Sequence, residues 1–138
     1  MKLRSISVFL GIAALLLAII ACSTSSTTPG LSNIRMTTDD TGKTPTSSYA
    51  PGDEFFVFAD ISGLQAGQTI EAKWYAVNVE GVDANSEINT SDYSYESNVA
   101  YVYFQLTTSD GGDWPPGSYR VELYLDGTKV GEQGFTVQ

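Results

Sequence analysis

The feature that most constrains the fold is an alternation of apolar and polar residues over short runs that are separated by turn residues. Residues 53–61, 69–79 and 99–107 are three such runs, and all three are rich in Val, Ile, Tyr, Phe and Thr. Because side chains alternate between the two faces of a strand, each run predicts a strand with one apolar face. No long stretch has a helical period, so the sequence predicts an antiparallel all-β sandwich or barrel.

The alternation also predicts which side chains enter the core. The inward set is Phe55, Val57, Ala59, Ile61, Ile70, Ala72, Trp74, Ala76, Ala100, Val102, Phe104 and Leu106. The opposite parity directs six aromatic rings outward: Phe56, Phe58, Tyr75, Tyr101, Tyr103 and Tyr124. Residues 31–38 predict a first strand. The polar segment 80–96 is long for a structureless loop, which favours a short edge strand within it.

The C-terminal region predicts a β-hairpin. Residues 119–125 alternate, and Asp126-Gly127 follows as a two-residue turn of type I′, which needs positive φ. In the returning strand, 128–137, the later apolar residues have the wrong parity for simple pairing. We therefore expect a bulge at Gly131 or Gly134, because glycine accepts the backbone angles that a bulge requires.

The first 21 residues have the features of an export signal. Lys2 and Arg4 give a positive start, and residues 8–20 form an uncharged apolar run. This run is shorter than the roughly 20 apolar residues that a spanning helix needs. It is typical of the core of a signal peptide, predicted here as 1–21.

The end of this run, Ile19-Ile20-Ala21-Cys22, resembles the bacterial lipobox, with an aliphatic residue, a small residue and then cysteine. The resemblance implies cleavage before Cys22 and a diacylglycerol-type lipid on its sulfur, which would anchor the chain to a membrane. Cys22 is the sole cysteine, and lipidation accounts for an unpaired thiol in an exported chain. An ordinary secretory signal or an uncleaved anchor is the alternative. Ser23 after the cysteine resembles lipoproteins sent to the outer membrane, where one exists; a Gram-positive chain would be anchored at the cell surface.

Composition after Cys22 separates a tether from one acidic domain. Residues 22–30 are the lipidated cysteine followed by Ser, Thr, Pro and Gly, a composition typical of a flexible tether. Residues 31–138 are enough for one domain. The region after Ala21 holds five basic and sixteen acidic side chains, a net charge of −11. Such a surface repels phosphate backbones, so we expect no nucleic-acid partner.

Two features resemble the immunoglobulin-like sandwich, including its fibronectin-III-like relatives. Trp74 lies mid-strand on the inner face, and 113–121, Asp-Trp-Pro-Pro-Gly-Ser-Tyr-Arg-Val, resembles the segment that forms a tyrosine corner, here at Tyr119. The alternative for Tyr119 is an ordinary half-exposed strand tyrosine. The chain departs from antibody domains because it lacks both disulfide cysteines. The resemblance covers about 47–138 and implies an antiparallel sandwich of about seven strands, but little about activity.

Composition argues against an enzyme. The chain has no histidine, so a Ser-His-Asp or Cys-His arrangement cannot form. Zinc and copper sites normally draw on His and Cys, so we expect no metal site of that kind and no cofactor besides the lipid. Calcium is the alternative that stays open, with acidic residues in two segments: Asp83, Glu87, Asp92 and Glu96 in one, and Asp110 and Asp113 in the other. Neither segment has EF-hand spacing, and solvated acidic loops are the favoured interpretation.

The outward aromatic rings suggest a binding surface. Tyr75, Tyr101 and Tyr103 are the leading candidates, because tyrosine offers a large contact area at low entropy cost. The alternative is that these rings pair across strands or are covered by 80–96. The main hypothesis is therefore a membrane-anchored, non-enzymatic binding or structural module for a protein or polysaccharide of the cell envelope. The rival is a protease inhibitor or chaperone-like domain that uses Trp114-Pro115-Pro116 as its contact.

Overall fold

The computed structural model describes residues 29–138, which form eight strands and no helix. The strands are β1 (Gly30–Thr37), β2 (Ser48–Tyr49), β3 (Phe55–Ser62), β4 (Thr69–Val79), β5 (Ser86–Ser94), β6 (Tyr101–Leu106), β7 (Gly117–Leu125) and β8 (Thr128–Val137). Within this range no helix is long and apolar enough to cross a membrane. The predicted leader, Cys22 and tether residues 23–28 lie outside the described residues.

The strands form two sheets that pack on a shared core. The smaller sheet has the order β1-β3-β6 and the larger sheet β2-β8-β7-β4-β5. Every pairing is antiparallel except that of β2 with β8. The antiparallel all-β sandwich predicted from the sequence is thus confirmed, with the two-residue β2 as an eighth strand.

The core contains most of the residues that alternation directs inward. Trp74 is fully buried, with Phe55 and Val57 from the smaller sheet on the opposite side of the core. Two predicted core residues depart from this pattern: Ile61 is half-buried and Ala100 is exposed. Ile61 lies near the end of β3, and Ala100 lies just before the start of β6.

The C-terminal hairpin closes as predicted. Asp126 and Gly127 have φ values of 48° and 82°, the positive values that a type I′ turn requires. Leu125 pairs with Thr128 across this turn. The Asp126 carboxylate also accepts hydrogen bonds from Gln68 (2.8 Å) and from the backbone N–H of Thr69 (2.9 Å), which ties the turn to the start of β4.

The predicted bulge lies in β8 beside Gly131. Lys129 and Gly131 pair with consecutive residues of β7, so Val130 has no partner across the ladder. This extra residue restores the inward parity of Phe135 and Val137, which are both buried. A side chain at position 131 would overlap Ile34 of β1, so the glycine lets β8 approach the smaller sheet closely on this flank.

The polar segment 80–96 contains a strand longer than the short one expected. β5 occupies nine of its residues and pairs with β4 at the edge of the larger sheet. Its register with β4 shifts between Trp74 and Tyr75. β5 and β6 are therefore the two edge strands on the flank opposite to β1 and β8.

The chain enters the sandwich at one end of the smaller sheet. Gly30 pairs with Ser62, and Pro29 lies against Gly63. The neighbouring Ile61 N–H donates to the carbonyl of Ala100 at 2.8 Å. The entry point is therefore two strands away from the start of β6, about 10 Å at the usual strand spacing.

Candidate functional site

The tyrosine corner predicted at Tyr119 is present. The Tyr119 ring is buried, and its hydroxyl donates to the carbonyl of Pro115 at 2.6 Å. Burial raises the pKa of this hydroxyl, so it stays a donor at neutral pH. Trp114, one of the predicted contact residues, is half-buried and stacks on Phe55 with ring centroids 4.8 Å apart. The Trp114 ring therefore closes one end of the core, while Pro115 and Pro116 are exposed.

The three tyrosines predicted to form one binding surface lie on different sheets. Tyr75 is on β4 of the larger sheet, whereas Tyr101 and Tyr103 are on β6 of the smaller sheet. Outward side chains of the two sheets point to opposite sides of a sandwich. The expectation of a single platform containing all three rings is therefore wrong. Alternation shows that each ring points outward, but it cannot show which sheet the strand joins.

Phe56 and Phe58 point outward as predicted, and the alternative of cross-strand pairing holds for Phe58 and Tyr103, which are register partners with stacked rings. Phe56 and Phe58 lie on the outer face of the smaller sheet, yet they are only 5% and 1% exposed. Tyr103 stacks on Phe58 at 5.1 Å, and the Arg35 guanidinium lies 5.3 Å from the centre of the same ring. The turn after β1 completes the cover: Gly42 packs so closely on Phe58 that a Cβ there would lie 2.9 Å from the ring. The cover on Phe58 thus includes this turn, which the sequence analysis did not consider.

Tyr101 and Tyr103 form the exposed layer above these phenylalanines. Their exposed fractions are 52% and 43%. The centroid of the Phe58 ring lies 5.1 Å from that of Tyr103 and 5.9 Å from that of Tyr101. We call Tyr101, Tyr103 and the two phenylalanines beneath them the aromatic surface.

A groove of about 710 Å³ runs beside the aromatic surface, along the flank between β5 and β6. Its walls are residues 92–93 of β5 and 98–104, which include the connection into β6 and most of that strand. Tyr93, Val102 and Phe104 give it an apolar floor, and Asp92 is the only charged residue among the described residues that line it. We call this feature the flank groove. Sequence analysis missed it, because its walls come from edges of different sheets.

The outer face of the larger sheet has a different character, centred on Glu122. This carboxylate is only 7% exposed and accepts hydrogen bonds from Arg120 (2.9 Å), Lys129 (3.1 Å) and the Tyr124 hydroxyl (2.5 Å). Burial alone would raise the pKa of Glu122, but the hydrogen bonds and positive charges outweigh burial and lower it. The hydrogen bond between the Tyr124 hydroxyl and Glu122 raises the pKa of Tyr124 to about 12.

Cations of the same chain cover the tyrosine rings of this face. The Arg120 guanidinium lies 4.8 Å from the centre of the Tyr75 ring, and the Lys73 ammonium 4.9 Å from that of Tyr124. We call this set of residues around Glu122 the charged face. Its tyrosines are engaged by internal cation–π contacts, which are attractive because a ring face is electron-rich.

The acidic residues considered for calcium are spread over several elements. Glu87 and Asp92 lie on β5, while Asp110 and Asp113 lie in the connection between β6 and β7. In the part of the chain that the structure describes, no group of three or more acidic, His or Cys side chains is arranged to hold a metal ion.

Comparison with solved structures identifies the architecture. An immunoglobulin-like protein from Pseudomonas aeruginosa superposes with a TM-score of 0.57 and 13% identity over 78% of this chain and 93% of that protein. The fold is immunoglobulin-like. At such low identity the similarity concerns the fold alone.

Two further structures align less well. A superoxide reductase from Ignicoccus hospitalis has a TM-score of 0.44 and 12% identity, over 78% of this chain and 82% of the enzyme. A β-glucosidase from Listeria innocua has a TM-score of 0.47 and 13% identity, over 80% of this chain and 16% of the enzyme. No protein-family model and no curated protein sequence matches the chain.

Proposed function

We propose that this chain is an exported lipoprotein whose immunoglobulin-like domain is a non-enzymatic binding module for a protein or polysaccharide of the cell envelope. The anchor is a lipid on Cys22, placed at the outer membrane of a Gram-negative cell or at the surface of a Gram-positive one. The charged start, the uncharged run 8–20 and the sequence Ile19-Ile20-Ala21-Cys22 support the anchor.

The aromatic surface is the observation that carries the binding role. Tyr101 and Tyr103 are about half exposed, while Phe58 beneath them is buried and fixes the position of both rings. Rigid, partly exposed aromatic rings lose little conformational entropy on binding. Large contiguous apolar patches on monomeric proteins often serve a contact.

The chemistry of the chain supports a module without catalytic activity. There is no histidine, and the one cysteine is assigned to the lipid. The Glu122 carboxylate accepts hydrogen bonds from Arg120, Lys129 and Tyr124 of the charged face, so it is engaged within its own chain. Its role in the proposal is structural.

Alanine substitutions on the two faces test the binding role. Tyr101→Ala and Tyr103→Ala should each weaken partner binding by about 1 to 4 kcal/mol, as expected for contact tyrosines. Tyr75→Ala is the matched control, because it removes the same side chain from the outer face of the other sheet. Partners would be identified by mass spectrometry of envelope pulldowns and by glycan arrays, and affinities compared for all three variants. Equal binding by all three variants and the parent chain would exclude the aromatic surface as the contact.

The anchor is tested separately at the cysteine. Cys22→Ser should leave the leader uncut or release the protein from membranes, because the serine hydroxyl cannot accept the thioether-linked lipid. Detergent partitioning and the mass of the mature N-terminus measure this directly. Processing and partitioning identical to those of the parent chain would show that the lipobox resemblance is misleading.

A second candidate function is a protease inhibitor that presents the loop 113–116. The structure favours a rigid loop here, because Trp114 stacks on Phe55 and the Pro115 carbonyl accepts the Tyr119 hydroxyl. A rigid exposed loop binds at low entropic cost. Inhibition across a panel of proteases, lost on Pro115→Ala and Pro116→Ala double substitution and kept by Tyr101→Ala, would select this function over the first.

A further inference from the structure

The sheet edges of the described domain differ in how they are protected against pairing with another chain. Edge strands are usually blunted by charges, bulges or short length. β2 is two residues long, β1 has a register shift between Ser32 and Arg35, and β5 has a shift opposite Trp74–Tyr75 as well as the charges of Glu87 and Asp92. β6 has none of these devices. Its six residues, Tyr-Val-Tyr-Phe-Gln-Leu, carry no charge and no proline, and they pair with β3 in an unbroken register.

The hydrogen-bond pattern shows which backbone groups of β6 are free. Ile61 N–H donates to the carbonyl of Ala100, so Ala100 and every second residue after it direct their backbone groups toward β3. Tyr101, Tyr103 and Gln105 therefore direct their N–H and C=O groups away from β3. Among the described residues no strand pairs with this side. β6 thus presents three donors and three acceptors in strand geometry at the wall of the flank groove.

Charge defines what kind of segment fits beside this edge. Asp92 is the only charged residue among the described residues that line the groove. Four of the five basic side chains after Cys22 are paired with carboxylates elsewhere: Arg35, Lys73, Arg120 and Lys129. The electron-rich faces of Tyr101 and Tyr103 also attract cations. The surroundings of the edge are complementary to a segment that brings its own Lys or Arg, and they disfavour a second copy of this acidic chain.

We propose that β6 accepts an extended, basic segment of a partner polypeptide as an added strand of the smaller sheet. Its backbone pairs with Tyr101, Tyr103 and Gln105, alternate apolar side chains enter the flank groove beside Val102 and Phe104, and a Lys or Arg reaches Asp92. Strand addition is a general mode of peptide recognition in which main-chain hydrogen bonds supply affinity and alternate side chains supply specificity. The proposal narrows the binding function above, on which it rests, to a polypeptide partner.

The first experiment selects binders from a displayed library of random twelve-residue peptides, using the full chain as a bacterial host processes it. The expected binders alternate apolar and polar residues, contain Lys or Arg and lack a central proline. Amide hydrogen exchange with the best peptide should then slow at Tyr101, Tyr103 and Gln105, while neighbouring even-numbered amides, already bonded to β3, change little. Protection of these three amides before peptide is added would mean that the chain covers its own edge, and it would overturn the proposal.

A backbone variant separates strand addition from contact with the tyrosine rings. Gln105→Pro removes a free N–H and leaves both rings and every hydrogen bond to β3 in place, since proline is tolerated where its nitrogen faces outward from an edge strand. We expect peptide affinity to fall about tenfold. Gln105→Ala is the matched control: it also loses the side-chain bond to Glu54 but keeps the N–H, and it should bind normally. If Gln105→Pro is unstable, the amide hydrogen exchange of the parent chain with and without peptide tests strand addition by itself.

A charge variant tests the basic requirement. Asp92→Lys should weaken the selected peptides roughly fivefold, the order of a partly exposed ion pair. Glu80→Lys changes the net charge equally at an exposed position beyond the far end of β4, and it should leave affinity unchanged. Equal effects of the two variants would show that only overall charge matters and would overturn the assignment of Asp92.

The remaining outcomes distinguish this inference from the function on which it rests. Glycan binding that is lost on Tyr101→Ala but unchanged in Gln105→Pro would refute strand addition and keep the binding module. A parent chain that elutes as a dimer and becomes monomeric on Gln105→Pro would make a second copy the occupant, against the proposal. Selected peptides that bind Tyr101→Ala, Tyr103→Ala and Gln105→Pro as tightly as the parent would refute both.

Discussion

The outer faces of the two sheets use the same residue type in opposite ways. On the charged face, the rings of Tyr75 and Tyr124 are covered by Arg120 and Lys73, and the hydroxyl of Tyr124 is bonded to Glu122. On the smaller sheet, Tyr101 and Tyr103 lie over buried rings and are open to solvent on their other side.

The difference shows that outward direction and availability are separate properties. A tyrosine whose ring and hydroxyl both contact its own chain must break those contacts before it can bind a partner, which lowers its net contribution. A tyrosine that rests on a buried ring is already positioned and has a free face. This contrast is why Tyr75 serves as a control rather than as a contact in the experiments above.

The largest effect should come from removing the ring beneath the aromatic surface. Phe58→Ala should lower the free energy of unfolding by about 3 to 5 kcal/mol, the range for deleting a buried aromatic side chain. Trp74→Ala, in the core between the sheets, should cost a similar amount. Urea unfolding followed by circular dichroism measures both. A cost near zero for Phe58→Ala with the full cost for Trp74→Ala would mean that the smaller sheet has an ordinary solvated outer face.

A smaller effect is expected from neutralising the centre of the charged face. Glu122→Gln should lower stability by about 1 to 3 kcal/mol at pH 7, because Arg120 and Lys129 lose their shared carboxylate. The change is nearly isosteric, so packing is conserved. Chemical denaturation of parent and variant at fixed ionic strength gives the difference.

The difference in stability between the parent chain and Glu122→Gln should become smaller as the pH falls. The folded-state pKa of Glu122 is lowered, so the unfolded chain takes up a proton there first as the pH falls. Its stabilising contribution is therefore complete above the ordinary glutamate pKa and is lost as the pH drops through that value toward the lowered one. Between pH 7 and pH 3 the variant should lose less stability than the parent. Parallel curves of unfolding free energy against pH for the two proteins would show that Glu122 does not contribute to the loss of stability in acid.

The smallest effect compares one hydroxyl on each face. Tyr124→Phe removes the donor to Glu122 and should lower the free energy of unfolding slightly. Tyr103→Phe should cost almost nothing, because the exposed hydroxyl can bond to water in the folded and unfolded states alike. Spectrophotometric titration provides an independent check: Tyr124→Phe should have one fewer tyrosine with a raised pKa than the parent chain. Equal free energies of unfolding for the two variants would show that the hydroxyls on the two faces do not differ in their contribution to stability.

Alternation predicted most of the strands, though not β2 or the full length of β5, because a half-buried strand must place apolar side chains at every second position. It predicted β4 with its observed ends, and the parity of Phe135 located the bulge beside Gly131. The type I′ turn was predictable because it depends on a few adjacent residues, and the tyrosine corner was expected from the resemblance of 113–121 to that motif. All of these features are local in sequence.

The features that failed or were missed depend on contacts between distant segments. Phe58 is covered by Arg35, Gly42 and Tyr103, which come from three other parts of the chain. The assignment of the tyrosines to different sheets and the position of the flank groove also depend on contacts between distant segments. The alternation of residues within a strand does not determine the order of strands in a sheet. One signal was present in the sequence: 101–106 is an uncharged run without proline, unusual for an edge strand.

Under the proposed lipid anchor on Cys22, the position at which the chain enters the sandwich would set how far the aromatic surface can lie from a bilayer. With Cys22 anchored, eight residues lead to Gly30, and even fully extended they span at most about 29 Å. Gly30 is two strands from the start of β6, so Tyr101 lies at the same end of the domain as the entering chain. Under that proposal a partner would have to approach within a few nanometres of the membrane, which would favour other proteins of the same membrane over those deep in the surrounding space. Lengthening the tether would move the site outward without altering any contact within it.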